Sequence, residues 1–482
     1  MKYTDLRDWI EQVKAVGQME SVRRAHWDLE IGGLTEVICK RFKPPPALLF
    51  DDIPDYPSGH RVLANMLDSV ERLAITTGID PQITPVEFIH KWREKIKGLS
   101  PIPPAVVKDG PVLENIRTEA QVNLFEFPAP KWHEQDGGRY LGTANLVITQ
   151  DPEEGWVNLG TYRVMVQNEN TVSVYISPGK QGRIQRQKYF DMSRPCPVAI
   201  VFGQDPLLFV TASTDVPYGM SEYEYAGGIR EEPISVIEGP VTGLPIPASA
   251  EIAIEGEMTP GDVMPEGPFG EWTGYYASAR RSEPVLRVKS VLFRNQPIIC
   301  GAPPMRPSVG QGFYRSLERS ALIWNALEDA GVPDVTAVYS HPAAGRFLTI
   351  VAIRQRYPGH AKQAALVASQ CRAGAYLGRY VIVVDDDVDI YDSEEVLWAM
   401  CTRSDPERSI DILRRCWSGP LDPAIRREEK GFNSRAIIDA TRPYEWKDQF
   451  PPVSGISSDL KDQLEGKWSH LLAGLARVAK KP

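Results

Sequence analysis

A chain of 482 residues, 42% hydrophobic and 24% charged, has the make-up of an ordinary globular protein and the length for roughly two to four domains. Its formal net charge of −9, with no dense Lys/Arg block, excludes a dedicated nucleic-acid binder, and no apolar run approaches a membrane span. Cys39, Cys196, Cys300, Cys371, Cys401 and Cys416 form no Cys-x-x-Cys pair, the pattern of reduced structural thiols rather than of a zinc or disulfide framework. The N-terminal stretch MKYTDLRDWIEQVKAVG is charged throughout, unlike a signal peptide, so the expected location is cytoplasmic.

Leu6, Trp9, Ile10, Val13 and Val16 recur at helical spacing behind Thr4, a predicted N-cap, and Gly17 suits the stop. A second helical run holds Leu34, Val37, Ile38 and Phe42 and ends at Pro44-Pro45-Pro46; ALLF at 47–50 reads as a buried strand. Ser100-Pro101-Ile102-Pro103-Pro104 marks the end of this first α/β module. Short strands then follow one another: LVITQ (146–150), TYRVMVQ (161–167), TVSVYIS (171–177), PVAIVFG (197–203), AEIAIEGEM (250–258) and VLRVKSVLF (285–293). Gly, Pro, Asn and Asp separate them, which predicts an antiparallel sandwich or barrel. After Pro303-Pro304 the helical period returns in FYRSLERSALIWNALEDAG. The strand FLTIVAI (347–353), the helix AKQAALVASQC and the strand YVIVV (380–384) then predict a second α/β module. A last helix from Ser457 or Ser458 sets Leu460, Leu464, Trp468 and Leu472 in one stripe, which docks on its own chain or on a neighbouring subunit. The expected divisions are 1–118, 119–305, 306–450 and 451–482.

Chemistry concentrates in Pro265-Glu266-Gly267-Pro268-Phe269-Gly270-Glu271-Trp272-Thr273-Gly274-Tyr275. Glu266 and Glu271 are five residues apart, a spacing that fits one face of neither a helix nor a strand. They meet in one pocket only if Gly-Pro-Phe-Gly turns the chain back, which those residues allow. In an enclosed apolar place two such acids repel and one keeps its proton; on the surface they are a turn with two solvated acids. Both readings stand on spacing alone. Upstream, Asn158 offers an amide oxygen to a hard cation and Arg163 can grip a carboxylate bidentately, although an exposed strand arginine looks the same in sequence. Ser221 to Gly228 places Glu222 among aromatics and glycines, as a ligand-contacting loop or as a plain cover over the barrel end.

Six motifs in order carry a resemblance that runs nearly end to end. They are PALLF (46–50), DGGRYLGT (136–143), NLGTYR (158–163), SEYEYAGG (221–228), PEGPFGEWTGYY (265–276) and VVDDDVDIYDSEEVLWAMCTR (383–403). The chain resembles the UbiD-like decarboxylases, which use prenylated FMN. The resemblance implies an α/β (α+β multidomain) fold: an N-terminal α/β module, a central split β-barrel of flavin-reductase type, and a C-terminal α/β module with a terminal helix. It implies an Arg163–Glu266–Glu271 catalytic triad, with Glu271 as proton donor. It assigns cofactor contacts to Asn158, Gly160, Thr161, Tyr162, Arg163, Lys180, Gln181, Arg183 and Glu222. Asn158, Gln181 and Glu222 would hold Mn²⁺ or Mg²⁺, and the backbone from Thr211 to Thr214 a monovalent cation, K⁺. Gln181 stands where the family usually has His, a weaker ligand for Mn²⁺, which shifts the expectation toward Mg²⁺. The implied reaction is the reversible loss of CO₂ from an aromatic, heteroaromatic or α,β-unsaturated acid. A flavin prenyltransferase would supply the cofactor and the assembly would be a homodimer or hexamer.

The departure at Gln181 keeps in view an inactive cofactor-binding member or maturation partner; the barrel also suits an FMN oxidoreductase. Asp385-Asp386-Asp387-Val388-Asp389 resembles the metal-binding acids of a glycosyltransferase or a plain acidic turn. Gly310-Gln311-Gly312 lacks the third glycine of a dinucleotide fingerprint, and His360 at a helix start reads as structural.

Overall fold

The computed structural model describes residues 2–214, 216–276, 279–308 and 311–479. The chain divides into a large unit, Met1–Thr441, and a small one, Arg442–Pro482.

The first helix, Leu6–Ala15, buries Leu6, Trp9, Ile10 and Val13 as their spacing predicts, and Gly17 ends it at φ 70°. Its N-cap is Asp5 rather than Thr4: the Asp5 carboxylate accepts from the Asp8 N–H, and Thr4 turns outward to the Asp8 carboxylate. A four-stranded sheet follows, in the order Met19–Arg23, Ala47–Asp51, Arg61–Ala64 and Ile298–Gly301. Its last strand comes from far along the chain and pairs parallel with Arg61–Ala64.

A ten-stranded antiparallel sheet forms the centre. Its main path runs Tyr140–Gly142, Arg163–Asn168, Thr171–Tyr175, Arg281–Phe293, Ile252–Met258, Cys196–Phe202, Asn145–Gln150 and Val157–Gly160. Val263–Glu266 and Asn115–Thr118 pair off the long strand. Thr161 and Tyr162 alone connect Val157–Gly160, at one edge, to Arg163–Asn168, next to the other edge. Three residue steps span about 10 Å at most. The sheet must therefore curl until its edges nearly meet, a half-barrel where a split β-barrel was expected. The single strand expected at 161–167 is corrected by the same fact: the chain bends at Thr161–Tyr162 and changes edge there.

Strand side chains alternate between two cores. Leu146, Ile148, Ala199, Val201, Ala253 and Leu292 pack outward against helices. Val147, Val198, Ile200, Phe202, Ile252, Ile254, Val291 and Phe293 fill the inside of the curl.

The C-terminal part of the large unit is a five-stranded mixed sheet, ordered Val335–Ser340, Leu348–Ile353, Tyr380–Asp385, Phe432–Ala440 and Ile410–Trp417. The helices Gly312–Asp329 and His360–Gln370 pack on it, close to where the sequence sets them. In the small unit the expected last helix is two, Ser458–Lys467 and Ser469–Ala479, broken at Trp468.

Candidate active site

The strand Val263–Glu266 lays Glu266 opposite Arg281 on the long central strand. Gly267 then turns the chain at φ 81°, a conformation that favours glycine. Gly137 lies directly on this turn: its N–H donates to the Pro268 carbonyl at 2.8 Å, and a Cβ on it would stand 2.0 Å from the Gly267 oxygen. The Glu271 N–H donates to Tyr275 O at 2.9 Å and the Gly274 N–H to Glu271 O at 2.8 Å, closing the loop.

Both acids therefore reach one arginine. Arg163 donates to Glu266 through Nε and Nη2, each at 2.8 Å, and to Glu271 through Nη1 at 2.8 Å. Glu266 is fully buried and also accepts from the Tyr140 hydroxyl at 3.2 Å. The guanidinium lies over the Tyr175 ring at 4.5 Å, fixed by the strand register that sets Arg163 opposite Tyr175. A solvated surface turn is excluded. Burial raises the pKa of Glu271; Arg163 and Arg281 oppose the rise, and Glu266 adds to it. Enclosure, more than repulsion between the acids, favours the protonated form. Of the aromatic neighbours, Phe269 and Trp272 line the cavity, whereas Tyr275 is 62% exposed.

The cavity has a volume of about 420 Å³, within the size range of small-molecule sites. Asn158, Gly160, Thr161, Tyr162, Arg163, Lys180, Gln181, Glu222 and Glu271 all line it. Arg183 does not; its Nη1 donates to the Ile176 carbonyl at 3.3 Å. Asn158 lies opposite Thr149 in the edge strand, and Gln181 opens the helix Gln181–Asp191. Glu222 is the first residue of the helix Glu222–Arg230, capped by Ser221 and Glu224. Burial pushes its carboxyl up to about 8, against the Leu159 N–H that donates to it at 2.7 Å. Ala212, Ser213 and Thr214 line the same cavity at the end of the helix Pro206–Ser213. No cluster of three or more His, Cys, Asp or Glu side chains suited to a metal occurs among the described residues.

The acidic cluster is structural. Arg403 pairs with Asp385 and Asp387, and Arg354 with Asp386, outside the cavity. His360 is buried at a helix start, and Gly310 lies outside the described residues. The cavity wall also contains Arg315, Arg346, Arg372, Tyr376 and Trp417, which no motif marked. Their one sequence signal was Arg315, a few residues past the Gly310-Gln311-Gly312 turn.

Three family models match the chain, described as the 3-octaprenyl-4-hydroxybenzoate carboxy-lyase N-terminal domain (residues 10–92), Rift-related domain (105–307) and C-terminal domain (313–440). A phenolic acid decarboxylase from Sedimentibacter hydroxybenzoicus is 31% identical, over 92% of this chain and 92% of its own. A pyrrole-2-carboxylic acid decarboxylase from Pseudomonas aeruginosa is 29% identical over 96% and 97%. Among solved structures, the UbiD-class enzyme HmfF from Pelotomaculum thermopropionicum in complex with FMN superposes with a TM-score of 0.83 at 27% identity, covering 95% of this chain and 98% of that one. An evolved dimeric form of HmfF in complex with prFMN gives 0.80 at 26% identity, over 94% and 98%.

Proposed function

The chain belongs to the UbiD family of carboxy-lyases, and from that premise we propose that it catalyses the reversible, non-oxidative decarboxylation of an aromatic, heteroaromatic or α,β-unsaturated carboxylic acid, with prenylated FMN as its cofactor. One observation carries the reading: two carboxylates five residues apart converge on Arg163 in the wall of a cavity that also holds Asn158 and Glu222.

The residues fit the cofactor and a metal. Glu222 is a buried carboxyl whose ionised form needs a cation beside it, and Asn158 and Gln181 bring amides to the same cavity. This all-oxygen set suits a hard divalent cation, with Mg²⁺ favoured over Mn²⁺ by the absence of imidazole. Lys180 lines the same cavity, suited to a flavin phosphate. The terminal carbonyls of the helix Pro206–Ser213 suit K⁺. The prenylated flavin supplies the electron sink that no side chain offers when CO₂ leaves an sp² carbon.

The chain's own groups do the rest. Arg163 spends three of its five N–H donors on the two glutamates and keeps two for the substrate carboxylate. Glu266, gripped bidentately, holds that arginine in place. Glu271 delivers the proton to the carbon that CO₂ vacates. Phe269, Trp272 and Tyr175 exclude water from the reacting end. A flavin prenyltransferase would supply the cofactor, and the stripe Leu460, Leu464, Trp468 and Leu472 would join subunits into a homodimer or hexamer.

The test is co-expression with a flavin prenyltransferase, then absorption and mass spectra of the bound cofactor and a screen for CO₂ release from aromatic acids. Bound prenylated flavin with CO₂ release is the expected result. A protein that carries no prenylated flavin after co-expression, or that oxidises NAD(P)H without releasing CO₂, contradicts the proposal.

A further inference from the structure

A buried charge in a folded protein is ordinarily paired and hydrogen-bonded, and one guanidinium in this chain is neither. Arg186 lies on the helix Gln181–Asp191 with only 5% of its surface exposed. Its Nε and Nη1 are enclosed, and none of its nitrogens donates a hydrogen bond or joins an ion pair among the described residues. The contrast with Arg163 is direct. There the Nε–Nη2 edge grips the Glu266 carboxylate at 2.8 Å on both arms, whereas the same edge of Arg186 has no acceptor.

The surroundings do not neutralise it. Its helix packs on the strands Asn145–Gln150, Val157–Gly160 and Cys196–Phe202. Cys196 is near enough to feel the charge, but burial pushes that thiol up to about 12, so it stays neutral. Glu283, from the long central strand, also reaches it, but Glu283 is taken by the Arg281 Nε at 2.7 Å. Arg183, one turn back on the helix, adds charge of the same sign, and its Nη1 is tied to the Ile176 carbonyl at 3.3 Å. Three arginines thus meet one glutamate. Burial lowers the pKa of Arg186, yet a guanidinium remains ionised at neutral pH. What faces it is the Phe190 ring, 5.6 Å from Cζ.

We infer that Arg186 holds a small monovalent anion, chloride or bicarbonate, at a site apart from the catalytic cavity, whose wall it does not join. Near-complete enclosure leaves no passage for a bulky organic acid, and Glu283 disfavours a dianion. The anion supplies the counter-charge that the fold withholds, and it braces the helix whose first residue, Gln181, lines the main cavity. This site does not depend on the decarboxylase reading.

The test is a set of thermal melts of the full chain loaded with FMN, at one ionic strength, with sodium chloride, bicarbonate or gluconate. Gluconate is too bulky to enter. Chloride or bicarbonate should raise Tm by about 1–4 °C over gluconate and saturate with concentration; the anion that does so at the lower concentration is the ligand. Arg186→Met keeps the bulk and removes the charge. That variant should melt alike in all three salts, and above the native chain in gluconate. Crystals of the native chain grown in bromide should show an anomalous peak within hydrogen-bonding reach of an Arg186 nitrogen. Equal melting of the native chain in the three salts overturns the inference, as does an anion effect that survives Arg186→Met. Absence of bromide at Arg186 overturns it as well, even if the Met variant does not fold.

Discussion

Glu266 and Glu271 share one arginine and differ in everything else around them. Glu266 has no exposed surface, a bidentate grip and a tyrosine hydroxyl; Glu271 has one N–H donor and a side chain 14% exposed to the cavity. In the proposed function the second is the one that moves a proton. Glu271→Gln should retain bound cofactor and lower kcat by about 10²–10⁴-fold, measured as CO₂ release. The raised pKa of Glu271 also fixes the sign of a pH dependence. The donor form is present below that pKa and lost as pH rises through it, so kcat should fall on the alkaline side, and a kcat–pH profile checks this. Gln181→His should raise Mn²⁺ retention after dialysis by about tenfold, read by metal analysis of the flavin-loaded protein. At this scale the resemblance pointed to Arg163 and both glutamates, and the structure brings the three together, yet their spacing alone allowed a surface turn. Burial decides between the two, and burial depends on segments far along the chain. Arg372 stayed illegible because it is an ordinary helix-start arginine until a third part of the chain folds over the half-barrel.

At the scale of elements, the turn holding the glutamates is held by the Asp136-Gly137-Gly138 segment. Gly137→Ala would drive a Cβ into the Gly267 carbonyl, backbone against backbone, so the turn must shift. A loss of about 1–3 kcal/mol in a denaturant melt is expected, together with a larger loss of activity, as Arg163 parts from one or both acids. The central strands were readable because alternation with β-branched residues is a local signal. The break at Thr161–Tyr162 was not, because an edge change needs knowledge of which strands are neighbours. The helix Pro85–Lys97 was also unread in sequence, although Thr84 and Glu87 form a capping box and Pro85 begins it.

For the whole molecule, a buried acid sets how stability responds to pH. Glu318 is enclosed, and burial lifts its carboxyl from an ordinary 4.5 to about 8. Between those values the folded chain binds more protons than the unfolded one, so this group lowers stability as pH rises across that window. Glu318→Gln should therefore flatten the dependence of Tm on pH and stabilise the protein at pH 8 by about 1–3 kcal/mol, measured by thermal melts from pH 5 to about pH 8. Module order and the central half-barrel were legible in the chain. The strand Ile298–Gly301, which completes the N-terminal sheet, was not, since parallel pairing across such a sequence distance leaves no local trace.

The account turns on Glu271 as the source of the proton that replaces CO₂. The direct measurement is decarboxylation in D₂O by the prenylated-flavin form, with the product read by mass spectrometry and NMR. The account predicts one deuterium at the carbon that lost its carboxylate, and almost no product from Glu271→Gln carrying the same cofactor. Equal rates and equal labelling in the two proteins would contradict it.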